Sequence, residues 1–204
     1  MNETSPIVFV VDDDSSVRGA LARFLKSAGL QVVTFASAEA FLKHPLPDVP
    51  ACVVLDVFTP GLDGLDAQHV LAARQSSPPV IFITGYGDIP LSVRAMKAGA
   101  VDFLPKPFSN HALLTAVNTA LARHTHARQV EVEFATIRRR IESLSPRERE
   151  VMALVVRGKL NKQIGHHLGV GEKTIKVHRA RVMKKMQVNS LADLVRMTEK
   201  VSAS

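Results

Sequence analysis

The stretch that decides the fold is IVFVVDD, residues 7–13, in which five apolar residues are followed by two carboxylates. A short, continuous apolar run is typical of a parallel strand whose sheet is covered on both faces. Similar runs recur between helix-like segments and predict strands at residues 7–11, 32–35, 51–56, 80–84 and 101–104. Strands that alternate with helices in this way predict a doubly wound (βα)5 α/β domain, which we assign to residues 1–122.

Polar side chains stand at the ends of four of these strands. Asp12 and Asp13 follow the first strand, and Asp56 ends the third. Thr84 ends the fourth strand, and Lys106 lies just beyond the fifth. Because the carboxyl ends of parallel strands meet at one edge of the sheet, we expect these side chains to converge. Carboxylates suit a small divalent cation, and a lysine with a hydroxyl suits phosphoryl oxygens, so the pattern predicts a site for phosphoryl chemistry.

The composition favours a globular chain with neither a membrane span nor a disulfide. Hydrophobic residues make up 46% of the 204 residues, which is enough for real cores. No apolar run approaches the roughly 18 residues that a membrane-spanning helix needs. The start of the chain lacks the basic region of a signal peptide, so we expect a cytoplasmic protein without a membrane partner. Cys52, the single cysteine, is expected to be a small buried core residue.

The charge of the chain divides sharply between its two parts. Residues 1–125 contain nine basic and eleven acidic residues, for a net charge of −2. Residues 126–204 contain 17 basic and 8 acidic residues, for a net charge of +9. The second part is therefore a candidate for nucleic-acid binding, although basic surfaces also meet membranes and acidic proteins.

The last helix of the α/β part is predicted to begin after Ser109 and to run on past Arg123, giving a helical linker over residues 123–142. Apolar residues recur in this linker at steps of four, three and four: Val130, Phe134, Ile137 and Ile141. So narrow a seam favours pairing with one partner helix, and hence a dimerising linker. Packing of the same residues on their own domain is the alternative.

From residue 143 onward the sequence predicts short helices only. Ser145 and Glu148 have the spacing of a capping box, and Asn161 is predicted to cap the second helix. A turn that contains two glycines separates the second helix from the third, which is the helix-turn-helix arrangement. The four helices are predicted to begin at 146 and to cover 162–168, 172–186 and 190–201. We therefore predict an all-α helix-turn-helix domain over residues 143–204.

The third of these helices has two faces of different character. Ile175, Val182 and Met186 recur at helical spacing and belong to the face toward the core. A stripe of cations and small apolar residues on the other side can approach base edges in a major groove while its cations reach phosphates or guanine. The candidate DNA contacts lie on this helix and at the start of the helix before it: Asn161, Lys162, Lys173, Thr174, Lys176, Val177, Arg181 and Lys184.

Residues 6 to about 122 resemble the CheY-like receiver domain of two-component response regulators, which has a flavodoxin-like fold. The resemblance rests on Asp12-Asp13, Asp56 with Pro60 and Gly64, Thr84-Gly85, and Lys106-Pro107. It implies that Asp56 accepts a phosphoryl group from the phosphohistidine of a sensor histidine kinase. It also implies an Mg²⁺ (or Mn²⁺) site formed by Asp13, Asp56 and the main-chain carbonyl of Phe58, with Asp12 acting through water.

The same resemblance assigns a switching role to four further residues. Lys106 would pair with Asp56 before transfer and with a phosphoryl oxygen after it, and Thr84 would turn to donate to another phosphoryl oxygen. Phe103 would then rotate inward behind Thr84, while Gly85 leaves room for the phosphoryl group. The bond between Lys106 and Pro107 would be the cis peptide of the family, which only X–Pro bonds adopt cheaply.

The basic part resembles the LuxR-type output domain of the NarL/FixJ subgroup of response regulators. The matching segments are LSPRE at 144–148, NKQI at 161–164, LGV at 168–170 and EKTIKVH at 172–178. The resemblance implies a transcriptional regulator, and not an enzyme, that binds an inverted repeat in promoter DNA and acts with RNA polymerase. It further implies a homodimer that forms on phosphorylation through the fourth helix, fifth strand and fifth helix of the receiver.

One segment departs from the pattern of the family. Phe58 and Thr59 stand where relatives usually carry a polar residue and then Met. A main-chain ligand at position 58 survives any change of side chain, so the metal site is not placed in doubt. However, Phe58 and Tyr86 would flank the phosphoryl position and limit the approach of water, which predicts slow dephosphorylation.

Two other classes of protein share parts of this pattern. A metal-dependent phosphohydrolase that passes through an aspartyl-phosphate would share the Asp, Lys and Thr chemistry. Such an enzyme would need a general acid two residues beyond Asp56 and a domain to cap the substrate. The sequence has Phe58 at that position, which is not an acid, and predicts no cap domain. A flavodoxin-like cofactor binder would need a phosphate loop rich in Ser, Thr or Gly after Val11, and the acidic edge would repel a flavin phosphate.

Overall fold

The computed structural model describes residues 5–74, 76–85 and 89–202. It contains the five predicted parallel strands, and the second and fifth differ from their predicted bounds by one residue. They are β1 Ile7–Val11, β2 Gln31–Phe35, β3 Ala51–Asp56, β4 Val80–Thr84 and β5 Asp102–Pro105. The helices are α1 Ser15–Ser27, α2 Ala38–Lys43, α3 Gly64–Ala72, α4 Ile89–Lys97, α5 Asn110–Glu142, α6 Pro146–Val156, α7 Asn161–Leu168, α8 Glu172–Met186 and α9 Leu191–Ser202.

The strand order β2-β1-β3-β4-β5 brings the predicted polar residues to one edge of the sheet. Val11 pairs with Leu55, Asp56 with Ile83, and Thr84 with Pro105. The neighbouring strands therefore end at nearly the same level. This level edge is the point where a doubly wound sheet places its ligand chemistry.

Both faces of the sheet are covered by apolar residues, as the continuous apolar runs predicted. Phe9 and Phe82 belong to the apolar layer on one face, which also includes residues of α2, α3 and α4. Val10 and Ile81 belong to the opposite layer, which includes residues of α1 and α5. Cys52 lies in this second layer, is fully buried and is not in a disulfide.

Capping contacts set the beginnings of several helices. Ser145 and Glu148 form the predicted capping box at the start of α6. The Ser109 hydroxyl accepts a hydrogen bond from the Ala112 N–H at 3.1 Å, next to the start of α5. The prediction that Asn161 caps α7 is wrong. Asn161 is the first residue of that helix, and the Leu160 N–H before it donates to the Gln163 side chain at 3.0 Å.

The chain forms two compact units, one up to Arg128 and the other from Gln129. Helix α5 continues past Arg123, as predicted, and contains the whole segment 123–142. Ile137 is buried by its own chain, and Ile141 packs against the core of the second unit. These contacts favour the alternative of packing on the same domain over a seam that is open to a partner helix.

The second unit is all-helical in the part that the structure describes, up to residue 202. Its core joins side chains of α6, α7, α8 and α9, among them Val151, Ile164, Ile175 and Leu194. Leu194 is therefore a core residue of this unit. Across residues 5–74, 76–85 and 89–202, no helix has both the length and the apolar character that a bilayer crossing requires.

Candidate functional site

Three carboxylates meet at the carboxyl edge of the sheet. Asp12, Asp13 and Asp56 each offer an oxygen within 4.8 Å of the oxygens of the other two. Asp12 and Asp56 are buried, whereas Asp13 is exposed. Burial and the neighbouring Asp56 raise the pKa of Asp12, against the hydrogen bonds and charge of Lys106 and the Asp14 N–H. Packing these groups together without a counter-charge is unfavourable, which gives the edge a strong preference for cations.

Lys106 supplies one positive charge to this cluster. Its ammonium donates to Oδ2 of Asp56 at 2.7 Å and to Oδ2 of Asp12 at 2.7 Å. Burial alone would lower the pKa of Lys106, but the hydrogen bonds and charges of the two aspartates outweigh it and raise the pKa. The Lys106 N–H donates to the Thr84 carbonyl at 2.7 Å, which fixes the backbone of the lysine against β4. The bond between Lys106 and Pro107 is cis, as the resemblance implies.

The loop after β3 places Phe58 beside the acidic cluster. The Phe58 N–H donates to Oδ1 of Asp56 at 3.1 Å, and its ring is 54% exposed. The next backbone contact inward is the Val57 N–H, which donates to the Ile83 carbonyl at 3.1 Å. The main chain at position 58 is therefore held next to the carboxylate of Asp56, where the resemblance expects a metal ligand.

The four predicted switch residues lie around the same edge. Thr84 is fully buried at the end of β4, and Phe103 is half-buried against the apolar layer that contains Phe82. Gly85 is exposed, and among the described residues no atom lies within 4 Å of the place where its Cβ would stand. Tyr86, which was predicted to flank the phosphoryl position, lies outside the described residues.

Arg18 is a residue of this site that sequence reasoning missed. Its guanidinium donates to the main-chain carbonyl of Asp12 at 2.6 Å and to that of Asp13 at 2.9 Å. The Asp14 carboxylate caps α1 by accepting from the Ser16 and Val17 N–H groups. Together these contacts fix the turn that carries the two aspartates. A cation in the first turn of the helix that follows an acidic pair is the sequence signal that points to Arg18.

The donor set of the cluster fits a small divalent cation. Carboxylate oxygens are the hard ligands that Mg²⁺ and Mn²⁺ prefer. Asp13 is the exposed member of the cluster and Asp56 is its member nearest the Phe58 main chain. These two residues could hold the ion directly, with Asp12 next to them. Lys106 alone leaves the three carboxylates with excess negative charge, which a divalent ion would neutralise.

The second unit presents a cationic helix face. Ile175, Val182 and Met186 face its core, each at most 1% exposed, as the helical spacing predicted. The other face of α8 is exposed and carries the predicted DNA contacts Lys173, Thr174, Lys176, Val177, Arg181 and Lys184. Nζ of Lys176 lies 3.3 Å from Oε1 of Glu172, one helical turn earlier, and forms a salt bridge with it. Lys162 is exposed at the start of α7, next to Asn161, which is half-buried.

Polar contacts hold α8 in place behind this face. The Lys185 ammonium donates to Oε2 of Glu148 at 2.7 Å, and the Arg179 guanidinium donates to Oδ1 of Asn161 at 3.2 Å. The hydrogen bonds from Lys185 and from the Ser145 N–H hold the pKa of Glu148 below its usual range. Asn161 therefore contacts α8 as well as standing at the start of α7.

Family models match both units of the chain. Residues 8–118 match the model of the response regulator receiver domain, and residues 142–198 match the model of bacterial regulatory proteins of the luxR family.

Curated relatives match nearly the whole chain. Nodulation protein W of Bradyrhizobium diazoefficiens is 51% identical over 201 residues, which are 98% of this chain and 88% of the relative. Transcriptional regulatory protein FixJ of Azorhizobium caulinodans is 45% identical over 197 residues, 97% of this chain and 93% of the relative. The solved structure of the response regulator StyR is 47% identical, covers 97% of this chain and 100% of its own, and has a TM-score of 0.87.

Proposed function

The chain belongs to the two-component response regulators that join a receiver domain to a LuxR-type DNA-binding domain, the NarL/FixJ type, and from this membership we propose that phosphorylation of Asp56 controls its binding to promoter DNA. Regulation of transcription follows from the family. We propose in addition which residue accepts the phosphoryl group, which metal assists it and how phosphorylation changes DNA binding. The domain limits that we propose are 1–122 for the receiver, 123–142 for the linker and 143–204 for the DNA-binding domain.

The observation that carries the proposal is the contact of Lys106 with Asp56 at the edge of the sheet. In the transfer, an oxygen of Asp56 attacks the phosphorus of the kinase phosphohistidine, the P–O bond forms and the P–N bond breaks. Lys106 lies 2.7 Å from that carboxylate and can follow the negative charge onto a phosphoryl oxygen. An Mg²⁺ or Mn²⁺ ion held by Asp13, Asp56 and the Phe58 carbonyl, with Asp12 through water, would neutralise charge on the transferring group.

Thr84, at the end of β4, and Phe103, on β5, would transmit the effect of phosphorylation to the rest of the receiver. Thr84 is buried next to the strand end and can donate its hydroxyl to a phosphoryl oxygen once one is present. Phe103, on the neighbouring strand, would move inward as Thr84 turns, and Gly85 would give the phosphoryl group its space. The phosphoryl group thereby favours one of two receiver forms that are already in equilibrium, because it makes contacts in one and not in the other.

The favoured form would assemble as a homodimer through α4, β5 and α5. Helix α4 exposes Ile89, Val93 and Met96 along one stripe, which supports this surface as the partner face. Two output domains would then bind an inverted repeat, with the exposed face of α8 in the major groove and Lys162 at a phosphate. RNA polymerase would be the further partner. A DNA target and a kinase partner would place the protein in the cytoplasm.

We favour a phosphoryl acceptor over a phosphohydrolase. Phe58, two residues beyond Asp56, has no group that could protonate a leaving alcohol. A site that can form an aspartyl-phosphate but has no general acid for the leaving group is suited to a phosphorylation switch and not to repeated hydrolysis. Repeated turnover of a phosphomonoester by the purified protein would reverse this preference.

The proposal is tested by labelling and footprinting on one protein preparation. The full chain is incubated with acetyl phosphate and Mg²⁺, and the adduct is located by mass spectrometry after borohydride reduction. We expect one adduct, on Asp56, and none in Asp56→Asn. Footprinting on promoter DNA should then show stronger protection with the donor for the wild type and no change for Asp56→Asn. An adduct on another residue, or equal protection in both proteins, contradicts the proposal.

A further inference from the structure

The loop of residues 57–63, between β3 and α3, contains the main-chain group that the proposed metal site needs. Its two ends are fixed by backbone hydrogen bonds from the Val57 N–H to Ile83 and from the Gly64 N–H to Val57. Within the loop, the Thr59 hydroxyl donates to the Leu62 carbonyl at 2.7 Å, and Thr59 is buried. A hydrogen bond within the loop therefore joins Thr59 to Leu62.

A side chain from a different βα unit reaches this loop. Oε1 of Glu39, in the first turn of α2, accepts a hydrogen bond from the Leu62 N–H at 2.6 Å. Glu39 and Leu62 are separated by 23 positions, so the contact joins the first turn of α2 to the loop between β3 and α3. The N–H of Glu39 itself and then the Leu62 N–H keep the pKa of Glu39 below its usual range. The carboxylate is thus charged at neutral pH.

Gly61 stands next to this contact, and a side chain there would be strained by the backbone and would displace Glu39. Gly61 has a φ of +88°, which favours glycine whatever its surroundings. A Cβ at this position would also meet Oε1 of Glu39, so that side chain would have to shift. A side chain at position 61 would therefore disturb the contact between Glu39 and the loop.

We propose that Glu39 is a positioning residue, which anchors the loop at Leu62 and so holds the Phe58 carbonyl where the divalent cation at Asp13 and Asp56 can bind it. The proposal rests on the proposed function, because it assigns the metal to that site. The anchor acts on Leu62. Thr59, the residue that follows Phe58, is hydrogen-bonded to Leu62 and so connects the anchor to the main chain at Phe58. Without the anchor the loop gains conformational freedom, and the ion must then restrict that freedom when it binds.

The direct test measures Mg²⁺ binding to the unphosphorylated full chain by calorimetry. Glu39→Ala removes the acceptor, and we expect the Kd for Mg²⁺ to rise about tenfold, in the range measured for groups that orient metal ligands. Glu39→Gln keeps an oxygen that can accept from the Leu62 N–H, and its Kd should stay within about twofold of the wild type. Asp66→Ala is the matched control. It removes an exposed carboxylate from the first turn of α3, beside the same loop in sequence, without removing the anchor.

A second variant approaches the same contact from the loop side. Gly61→Ala brings a Cβ against Oε1 of Glu39, so its effect on the Kd should be smaller when Glu39 is already alanine. Two changes that act on one contact are not additive, and the double variant measures this directly.

The outcomes separate this proposal from the proposed function. If Glu39→Ala binds Mg²⁺ as tightly as the wild type, or if Asp66→Ala weakens binding as much, the positioning role is wrong while the acceptor site stands. If Glu39→Ala and Glu39→Gln weaken binding equally, the charge and not the anchor is responsible, and the role is also wrong. If the wild type neither binds Mg²⁺ nor forms an adduct on Asp56, the proposed function itself fails.

Discussion

Lys106 binds Asp12 as closely as it binds Asp56, with both ammonium-to-carboxylate distances at 2.7 Å. The contact with Asp12 spans the sheet, because Lys106 follows β5 and Asp12 follows β1, with β3 and β4 between them. Lys106 thus links the two buried carboxylates of the site. Its charge does for the metal-free site part of what a bound cation would do.

Lys106→Met should therefore destabilise the receiver most when no metal is bound. Two buried carboxylates lose their shared partner, and we expect a loss of about 1–3 kcal/mol in the free energy of unfolding. Saturating Mg²⁺ should recover more stability in the variant than in the wild type, because the ion takes over the missing charge. Urea unfolding in EDTA and in Mg²⁺, followed by circular dichroism, measures both quantities. Equal Mg²⁺ stabilisation in the two proteins would contradict the role assigned to Lys106.

Phe58→Asn should shorten the lifetime of the phosphoryl group. The ring of Phe58 is 54% exposed beside Asp56, where it can hinder the approach of water, whereas an amide can hydrogen-bond to water. We expect hydrolysis to become about tenfold faster, which is less than the roughly 10²–10⁴-fold of a general base because an amide can orient water but does not take its proton. The decay of labelled protein after removal of the donor gives the rate. Phe58→Leu is the control, since it stays apolar and should keep the slow rate. An unchanged lifetime in Phe58→Asn rejects the shielding role.

Two lysines of the output unit should affect DNA binding differently. Lys176, on the exposed face of α8, is expected to contact bases, so Lys176→Ala should weaken binding to the cognate site by about 1–3 kcal/mol and reduce discrimination. Lys162, at the start of α7, is expected to contact a phosphate. Lys162→Ala should weaken binding to all sequences alike and lower the salt slope by about one. Gel shifts on cognate and scrambled DNA at several salt concentrations separate the two effects. If neither lysine has an effect, the assignment of this face is wrong.

Cys52 should be unreactive toward thiol reagents in the folded protein. It is fully buried, and burial raises its pKa to about 12, so the reactive thiolate is almost absent at neutral pH. We expect Ellman's reagent to modify the native protein at least about a thousandfold more slowly than the protein in urea, because reaction requires opening of the core. Cys52→Ser with Ala28→Cys, a cysteine on the exposed end of α1, gives the rate for an accessible thiol. A native rate near that of the control would mean that Cys52 is not a core residue.

The strands and their polar ends could be predicted from the sequence because both follow local rules. Continuous apolar runs predict buried parallel strands, and the sheet topology brings their ends together. The contact of Lys106 with Asp12 could not be predicted in the same way, because it depends on how far a side chain reaches across two intervening strands. The contact of Glu39 with Leu62 is of the same kind. It joins the first turn of α2 to the loop after β3, and only the folded backbone reveals that the two are close.

Helix ends show where a local rule is overridden. Asn161 is a strong capping residue, and yet α7 begins at it, because the Gln163 side chain satisfies the Leu160 N–H and Arg179 occupies the Asn161 oxygen. A related point applies to the apolar seam of α5. Ile137 and Ile141 have the spacing of a coiled coil, but the core of their own unit uses them, and spacing alone does not tell which surface a stripe will meet.

Glu148 should make the stability of the output unit depend on pH. Its pKa is lowered by the hydrogen bonds of Lys185 and the Ser145 N–H, so the charged form is favoured by folding. Its contribution is therefore complete at pH values above the usual pKa of glutamate, and it is lost as the pH falls through the lower pKa of the folded state. Glu148→Gln keeps a cap acceptor and removes the charge. We expect this variant to be about 1–2 kcal/mol less stable than the wild type at neutral pH.

The difference between Glu148→Gln and the wild type should shrink steadily with acidification, because the wild type loses the same charge by protonation. Urea titrations at several pH values, followed through the NMR signals of α6 and α8, report on this unit separately from the receiver. Glu150→Gln is the matched control. Glu150 lies on the same helix and pairs with Arg147, but its side chain is 52% exposed, so water and salt screen the pair and the change should be below about 0.5 kcal/mol at any pH. A difference for Glu148→Gln that persists unchanged into acid would mean that the neutral hydrogen bonds, and not the charge, stabilise the contact between α6 and α8.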